Sequence, residues 1–289
     1  MENNNKIIEN NEEVLSENIS DENLQEDVSE VSEEASEEVE EQVSDDESNP
    51  VDDEDSIDVE EDNNLDDESE QDIDEATPEE NSTNIKDLIS SFKPLDYFDF
   101  VNLHIHSKYS DGKADFLDVL NQAKKLGYRK IAICDHNTVK GHKIYQDDVL
   151  IPAVEFDCWC GYVFLHLLAY GIDVNNHVLD EFMAKNKRGT EADIVRIFAK
   201  RDVTKLISAI HEAGGIAVLA HPACCWALNL DKFVGKLVSM GLDGIEVYYP
   251  YRRHRAIIRF ATLRQIKDIA AKYNLIVTGG TDCHSRNIL

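Results

Sequence analysis

The chain has 289 residues and a formal net charge of -31, and that charge is very unevenly placed: residues 1–83 hold 36 of the 59 acidic residues and one basic residue, Lys6. The other positions carry 23 acidic and 27 basic residues, so the body of the chain is slightly basic, about +4. A body of that length can bury one sizeable core. It contains no apolar run of membrane-spanning length, and Met1-Glu2-Asn3-Asn4-Asn5 lacks the basic start and apolar stretch of a signal peptide, so a cytoplasmic protein with reduced cysteines is expected.

Residues 1–83 contain no histidine, cysteine or aromatic residue. Such a segment has too little apolar surface to offset its chain entropy and is expected to be a disordered acidic tail. It is suited to contacting a basic protein partner, to competing with nucleic acid for a basic surface, or only to keeping the chain in solution. The domain proper is then 84–289. Ile85, Leu88, Ile89 and Phe92 recur at helical spacing, which predicts a short amphipathic helix ended by Pro94.

From there, short β-rich runs alternate with helical periodicity. Strands are expected over 100–106, 130–135, 150–156, 163–170, 215–220, 244–249 and 275–279, with helices over 116–126, 203–213, 230–240 and 257–272. The alternation predicts parallel strands joined by helices, as an α/β barrel or an open doubly wound sheet. The barrel is favoured because residues suited to chemistry cluster at the C-terminal ends of six of the seven strands, and a barrel gathers those ends around one mouth. No Gly-x-Gly-x-x-Gly follows the first strand and no P-loop occurs, which argues against dinucleotide and Walker-type nucleotide sites.

His104-Ile105-His106 ends the first strand, and residues two apart on a strand share a face, so both imidazoles can reach one ion. Asp111 follows in a loop beside Gly112, where an ordinary Asp-Gly turn is the plainer reading. Asp135-His136-Asn137-Thr138 ends the second strand; Asp135 is read either as a partner that orients His136 or as a turn residue. Glu155 is the only charge in an apolar stretch and needs a compensating partner such as a metal. His166 and His221 sit in or after apolar runs, where a satisfied core histidine and a ligand are both open readings. Asp282 and His284 repeat the same-face spacing of the first pair. Cys158-Trp159-Cys160 and Cys224-Cys225 are read as buried small side chains in preference to zinc ligands.

These segments together resemble the polymerase and histidinol phosphatase (PHP) family of metallophosphoesterases. The resemblance is carried by Asn102-Leu103-His104-Ile105-His106-Ser107 with Ser110-Asp111-Gly112, Cys134-Asp135-His136-Asn137-Thr138, Ile151-Pro152-Ala153-Val154-Glu155, His166-Leu167-Leu168, the run from Gly214 to Pro222, Gly241 to Tyr248, and Thr278 to His284. They occur in the family's order over 98–285. The resemblance implies a (β/α)7 barrel with two or three divalent ions: His104, His106, Glu155 and Asp282 around one, Asp111, His136 and His284 around a second, and a bridging Glu155 with His166 and His221 around a third. Adjacent ions of this kind clamp phosphoryl oxygens and activate a hydroxide for in-line attack, and mixed imidazole and carboxylate ligands suit Mn, Fe or Zn.

The expected substrates are phosphorylated small molecules, nucleotides or short oligonucleotides, with histidinol phosphate or another small phosphomonoester as the alternative within the same chemistry. A non-catalytic binding module with an acidic interaction tail is the alternative outside it. Arg252, Arg253 and Arg255, after the sixth strand, are the candidates for a substrate phosphate because a guanidinium donates two hydrogen bonds at once; a solvated basic face is the competing reading. Lys185-Asn186-Lys187-Arg188 is the second basic run. Only 54 residues separate His166 from His221, and the Gly-Arg-Pro-His motif of the family branch that acts on nucleoside bisphosphates and RNA 5′ ends is absent. Only five residues follow His284, so no helix is expected after the last strand. Glu246 ends a strand as a structural or supporting residue.

Overall fold

The computed structural model describes residues 85–251 and 260–288, which fall within the unit Ser69–Leu289. The acidic segment 1–83 and the run Arg252, Arg253 and Arg255 lie outside the described residues.

The chain enters through a helix over residues 85–90 (α1), which buries Ile85 and Ile89 in a cluster with Leu103, Leu168 and Tyr170. Strand β1 (Val101–Ile105) is buried along its whole length. Helix α2 (Phe116–Leu126) follows, burying Phe116, Val119, Leu120 and Ala123. That is one face at helical spacing. It stops at Gly127, whose φ of 82° places it in the left-handed region that closes a helix. Strand β2 (Lys130–Ile133), helix α3 (Lys140–Ile144) and strand β3 (Leu150–Ile151) complete a three-stranded parallel sheet of order β1-β2-β3.

The expected third strand, 150–156, is in fact two. Pro152 has no N–H to give the ladder, and beyond it β4 (Ala153–Cys160) belongs to a second sheet, of order β4-β5-β6-β7-β8. Its partner β5 (Val163–Tyr170) is separated from it by Gly161 and Tyr162 alone. A two-residue turn can join only antiparallel strands, and Gly161 supplies the positive φ, 66°. After the short helices α4 (Arg188–Glu191) and α5 (Asp193–Phe198) come α6 (Val203–Glu212) and β6 (Ile216–Leu219). Strand β6 also runs antiparallel to β5. Helix α7 (Leu230–Val238), strand β7 (Gly244–Tyr248), helix α8 (Leu263–Lys272) and strand β8 (Ile276–Gly279) return the sheet to parallel pairing. Thr262 and Gln265 form a capping box that starts α8 later than the periodicity predicts.

The architecture is therefore α/β with a three-stranded and a mixed five-stranded sheet, and the closed (β/α)7 barrel and its all-parallel pairing are corrected. Two isolated β-bridges join the sheets, Ile105 with Cys283 and His136 with Glu155. Both bridges lie where the candidate ligands converge.

Tyr170 ties the second sheet to the first: fully buried on β5, its hydroxyl donates to the Leu103 carbonyl of β1 at 2.7 Å. Tyr170→Phe removes that donor without changing shape. It is expected to lower unfolding free energy by about 1 kcal/mol, measured by urea titration. An unchanged midpoint would show that the bond contributes nothing net.

Candidate metal centre

Glu155 stands at the middle of the site. It is fully buried on β4, and both carboxylate oxygens face imidazoles. Oε1 lies 2.9 Å from His166 Nδ1 and 3.2 Å from His221 Nε2. Oε2 lies 3.2 Å from His104 Nε2, 3.2 Å from His106 Nε2 and 3.5 Å from His136 Nε2. One carboxylate thus touches five histidines drawn from β1, β5 and the ends of β2 and β6.

The remaining ligand candidates close in from the segment after β8. Asp282 Oδ1 lies 3.1 Å from His106 Nε2 and 3.5 Å from His104 Nε2, and His284 Nε2 lies 3.2 Å from Asp111 Oδ1. They arrive because the chain beyond β8 runs against β1: His106 N donates to the Cys283 carbonyl, and Asp282 N donates to the His104 carbonyl. The approach is close enough that a Cβ built on Gly280 would stand 2.4 Å from His104 Cβ and 2.4 Å from His104 N. Three non-glycine residues with positive φ also sit here, Asn137 at 54°, His221 at 26° and Asp282 at 49°. Backbone strain of this kind concentrates at functional sites and costs about 1–3 kcal/mol each.

The electrostatics follow from packing carboxylates among imidazoles away from water. Burial disfavours the Glu155 carboxylate, but the surrounding His104, His136 and His166 outweigh it and hold its pKa well below the usual range. Conversely, burial alone would depress His106 and His166, yet the neighbouring carboxylates win, Asp282 and Glu155 at one ring and Glu155 and Asp157 at the other. His106 is pushed up to about 10 and His166 to about 9.

Donor atoms gather in three groups, each within 4.8 Å: His104, His106, Glu155 and Asp282; His106, Asp111, His136 and His284; and His136, Glu155 and His166. The first matches the set implied by the resemblance. His106 joins the second. In the third, His136 stands where His221 was implied, although His221 Nε2 still contacts Glu155. Asp135 does not face His136. Its carboxylate accepts from Ser107 N at 2.7 Å, Ser107 Oγ at 2.6 Å and Ser110 Oγ at 2.7 Å, which braces the loop carrying Asp111. All six cysteines are free.

Four residues at the site were not assigned to it by sequence. Asp157 is buried between His166 Nε2 at 3.1 Å and His136 Nδ1 at 3.6 Å. Its signal was available: it lies two residues beyond Glu155 on the same strand, hence on the same face. Arg196 donates from Nη1 to Asp111 Oδ2 at 2.9 Å and is 5% exposed, while Ile194 and Phe198 on the same helix are 72% and 76% exposed. This inverted helix puts its one cation inward. Tyr249 donates to Asp282 Oδ2 at 2.7 Å. Glu246, read as structural or supporting, contacts His104 Nδ1 at 3.0 Å.

Comparison with known proteins fits this geometry. The PHP domain profile matches residues 102–254. An uncharacterised protein from Methanocaldococcus jannaschii is 28% identical over 190 residues, covering 59% of this chain and 94% of its own. A phosphoribosyl 1,2-cyclic phosphate 1,2-diphosphodiesterase from Eggerthella lenta is 22% identical, covering 64% of this chain and 94% of its own. Among solved structures, a protein from Bifidobacterium adolescentis assigned as a metal-dependent phosphoesterase superposes with a TM-score of 0.52 at 21% identity, covering 66% of this chain and 89% of its own. An amidohydrolase from Chromobacterium violaceum gives 0.53 at 16% identity, covering 65% and 89%. These two share the fold. The profile match spans more than half of the chain and takes in the strand ends from His104 to His221 that surround Glu155, and the chain belongs to the PHP domain family.

Proposed function

We propose that the protein hydrolyses phosphoesters with the help of two or three divalent ions held around Glu155. The observation that carries this reading is the contact of one buried carboxylate with five imidazoles, for which a core histidine role gives no account. The residues also fit the ions in a second way. His106 Nε2 is buried within 3.1–3.2 Å of Asp282 and Glu155 oxygens yet forms no hydrogen bond to either. A donor aimed between two carboxylates suits a shared cation. His104, His106, Glu155 and Asp282 would hold one ion, Asp111, His136 and His284 with His106 another, and Glu155, His166 and either His136 or His221 a third. Bound there, divalent ions supply Lewis acidity to phosphoryl oxygens and make water acidic enough to act as a nucleophile near neutral pH.

The chain's own residues define the approach. His104, His106 and Glu155 are sealed from solvent, whereas the side chains of Asp111, His166 and His284 are 22%, 20% and 34% exposed. A phosphoester would enter over these three. Arg196, fixed on Asp111, places positive charge beside that entrance. Tyr249 holds Asp282 to one orientation through its hydroxyl.

We infer nucleotides or short oligonucleotides as the substrate class, supported by the slightly basic body of the chain and by the sugar phosphodiester in the name of the Eggerthella relative. Among the described residues no helix is long and apolar enough to cross a membrane. The test is metal analysis with phosphate release from an aryl phosphate, nucleotides, a cyclic phosphodiester and histidinol phosphate. At least two equivalents of transition metal are expected, and chelation should abolish turnover, with recovery on adding Mn2+ or Zn2+. Full activity in metal-free protein would refute the reading, and a preference for histidinol phosphate over every nucleotide would replace the substrate class.

A further inference from the structure

Glu246 is a buried acid with no ordinary reason to be where it is. It lies on β7 between Ile245 and Val247, both fully buried, and is itself fully buried. Among the described residues it pairs with no lysine or arginine. An ionisable group in such surroundings is costly unless its oxygens are bonded, and here both are. Oε1 lies 3.0 Å from His104 Nδ1, and Oε2 accepts from the backbone N of His221 at 2.8 Å. It belongs to none of the three donor groups.

Both bonds bear on how the centre is shaped. A carboxylate at Nδ1 gives that nitrogen an acceptor, so the proton of a neutral His104 sits on Nδ1 and the lone pair on Nε2. Nε2 is the atom that faces Glu155 Oε2 at 3.2 Å and Asp282 Oδ1 at 3.5 Å. The second bond fixes His221 where its backbone has φ 26° and ψ 62°, a conformation that persists only when neighbouring groups hold it. The same carboxylate thus orients a ring on β1 and a strained residue after β6. Partners of this kind set ring orientation and raise donor strength, and their loss typically costs ten- to a hundredfold in metal affinity.

We propose that Glu246 is a positioning residue of the metal centre, setting the tautomer and orientation of His104 and the backbone of His221 so that both rings face Glu155. The role rests on the metal-dependent reading above.

Glu246→Gln keeps the shape, but its amide oxygen can serve only one of the two donors, and its NH2 group faces the other. In the full-length protein, the affinity for Mn2+ or Zn2+ should fall ten- to a hundredfold, read by competition with a chromophoric chelator. The loss should fall on the ions that His104 and His221 would hold, leaving occupancy at His106, Asp111, His136 and His284 in place, and excess metal should restore most of the turnover on an aryl phosphate. A second measurement needs no variant: long-range 1H–15N spectra of the Zn2+-loaded wild-type protein should show His104 protonated at Nδ1 and not at Nε2. A wild-type His104 carrying its proton on Nε2, or a folded Glu246→Gln protein with unchanged metal affinity, overturns this role alone. A wild-type protein that binds no divalent ion overturns the metal centre and this role with it.

Discussion

Glu155→Gln should lower hydrolysis of an aryl phosphate by about a thousandfold or more, equivalent to roughly 4 kcal/mol of barrier, and should strip metal from the protein as purified. No other side chain at the site meets five imidazoles, and the amide that replaces it has one oxygen, no charge and an NH2 group that cannot ligate. The loss should exceed that from any single histidine, because each histidine serves fewer partners. The apo protein should also change. His106 and His166 owe part of their elevated pKa values, about 10 and about 9, to Glu155, so their titration should move down in the variant and be visible by NMR. Near-wild-type turnover together with undiminished metal content would mean that the centre is elsewhere.

Gly280→Ala should be among the most disruptive single methyl additions near the site. The new Cβ would meet His104 N and Cβ at 2.4 Å and Cα at 2.8 Å, all on a strand paired with β2. Overpacking against side chains costs about 1–3 kcal/mol, and a clash with backbone belongs at or above the top of that range, roughly 6–12 °C in Tm for a domain of about 200 residues. Displacement of the chain after β8 would carry Asp282 and His284 away from His104 and Asp111. Metal affinity should therefore fall with stability, read by calorimetry and by metal titration of the folded fraction. Retention of both would show that β1 and the last segment can separate freely.

Much of the centre could be read from sequence because its residues break local patterns. His104 and His106 keep the two-residue period of a strand end, and Glu155 is a lone charge in an apolar run. Both anomalies are local, and the structure brings these residues together. Helix α2 was equally legible, since Phe116, Val119, Leu120 and Ala123 show the period and Gly127 the stop. Strand direction was not. Alternating elements suggest parallel crossovers, and an expected strand end at 156 hides how short the Gly161-Tyr162 turn is that makes β4 and β5 antiparallel. Arg196 falls outside every helix expected from sequence, and in the short helix that carries it Ile194 and Phe198 are exposed while the arginine is buried. Which face of so short a helix turns inward is decided by the aspartates it meets, Asp111 and Asp157, and these lie 85 and 39 positions earlier in the chain. Glu246 carried the same signal as Glu155, but its partner on β1 is separated from it by 142 positions.

The meeting of β1 with the segment after β8 has a consequence for the order of events during synthesis. Asn102 and Thr281, which hydrogen-bond across that junction, are separated by 179 positions. Closing so long a loop is paid for before its contacts return anything. Emerging from the ribosome, the chain therefore exposes His104, His106 and Glu155 well before Asp282 and His284 exist to complete their surroundings. The centre should assemble late, in the step that docks β8 and the segment after it against β1, so that tight metal uptake by a nascent chain would mark that docking.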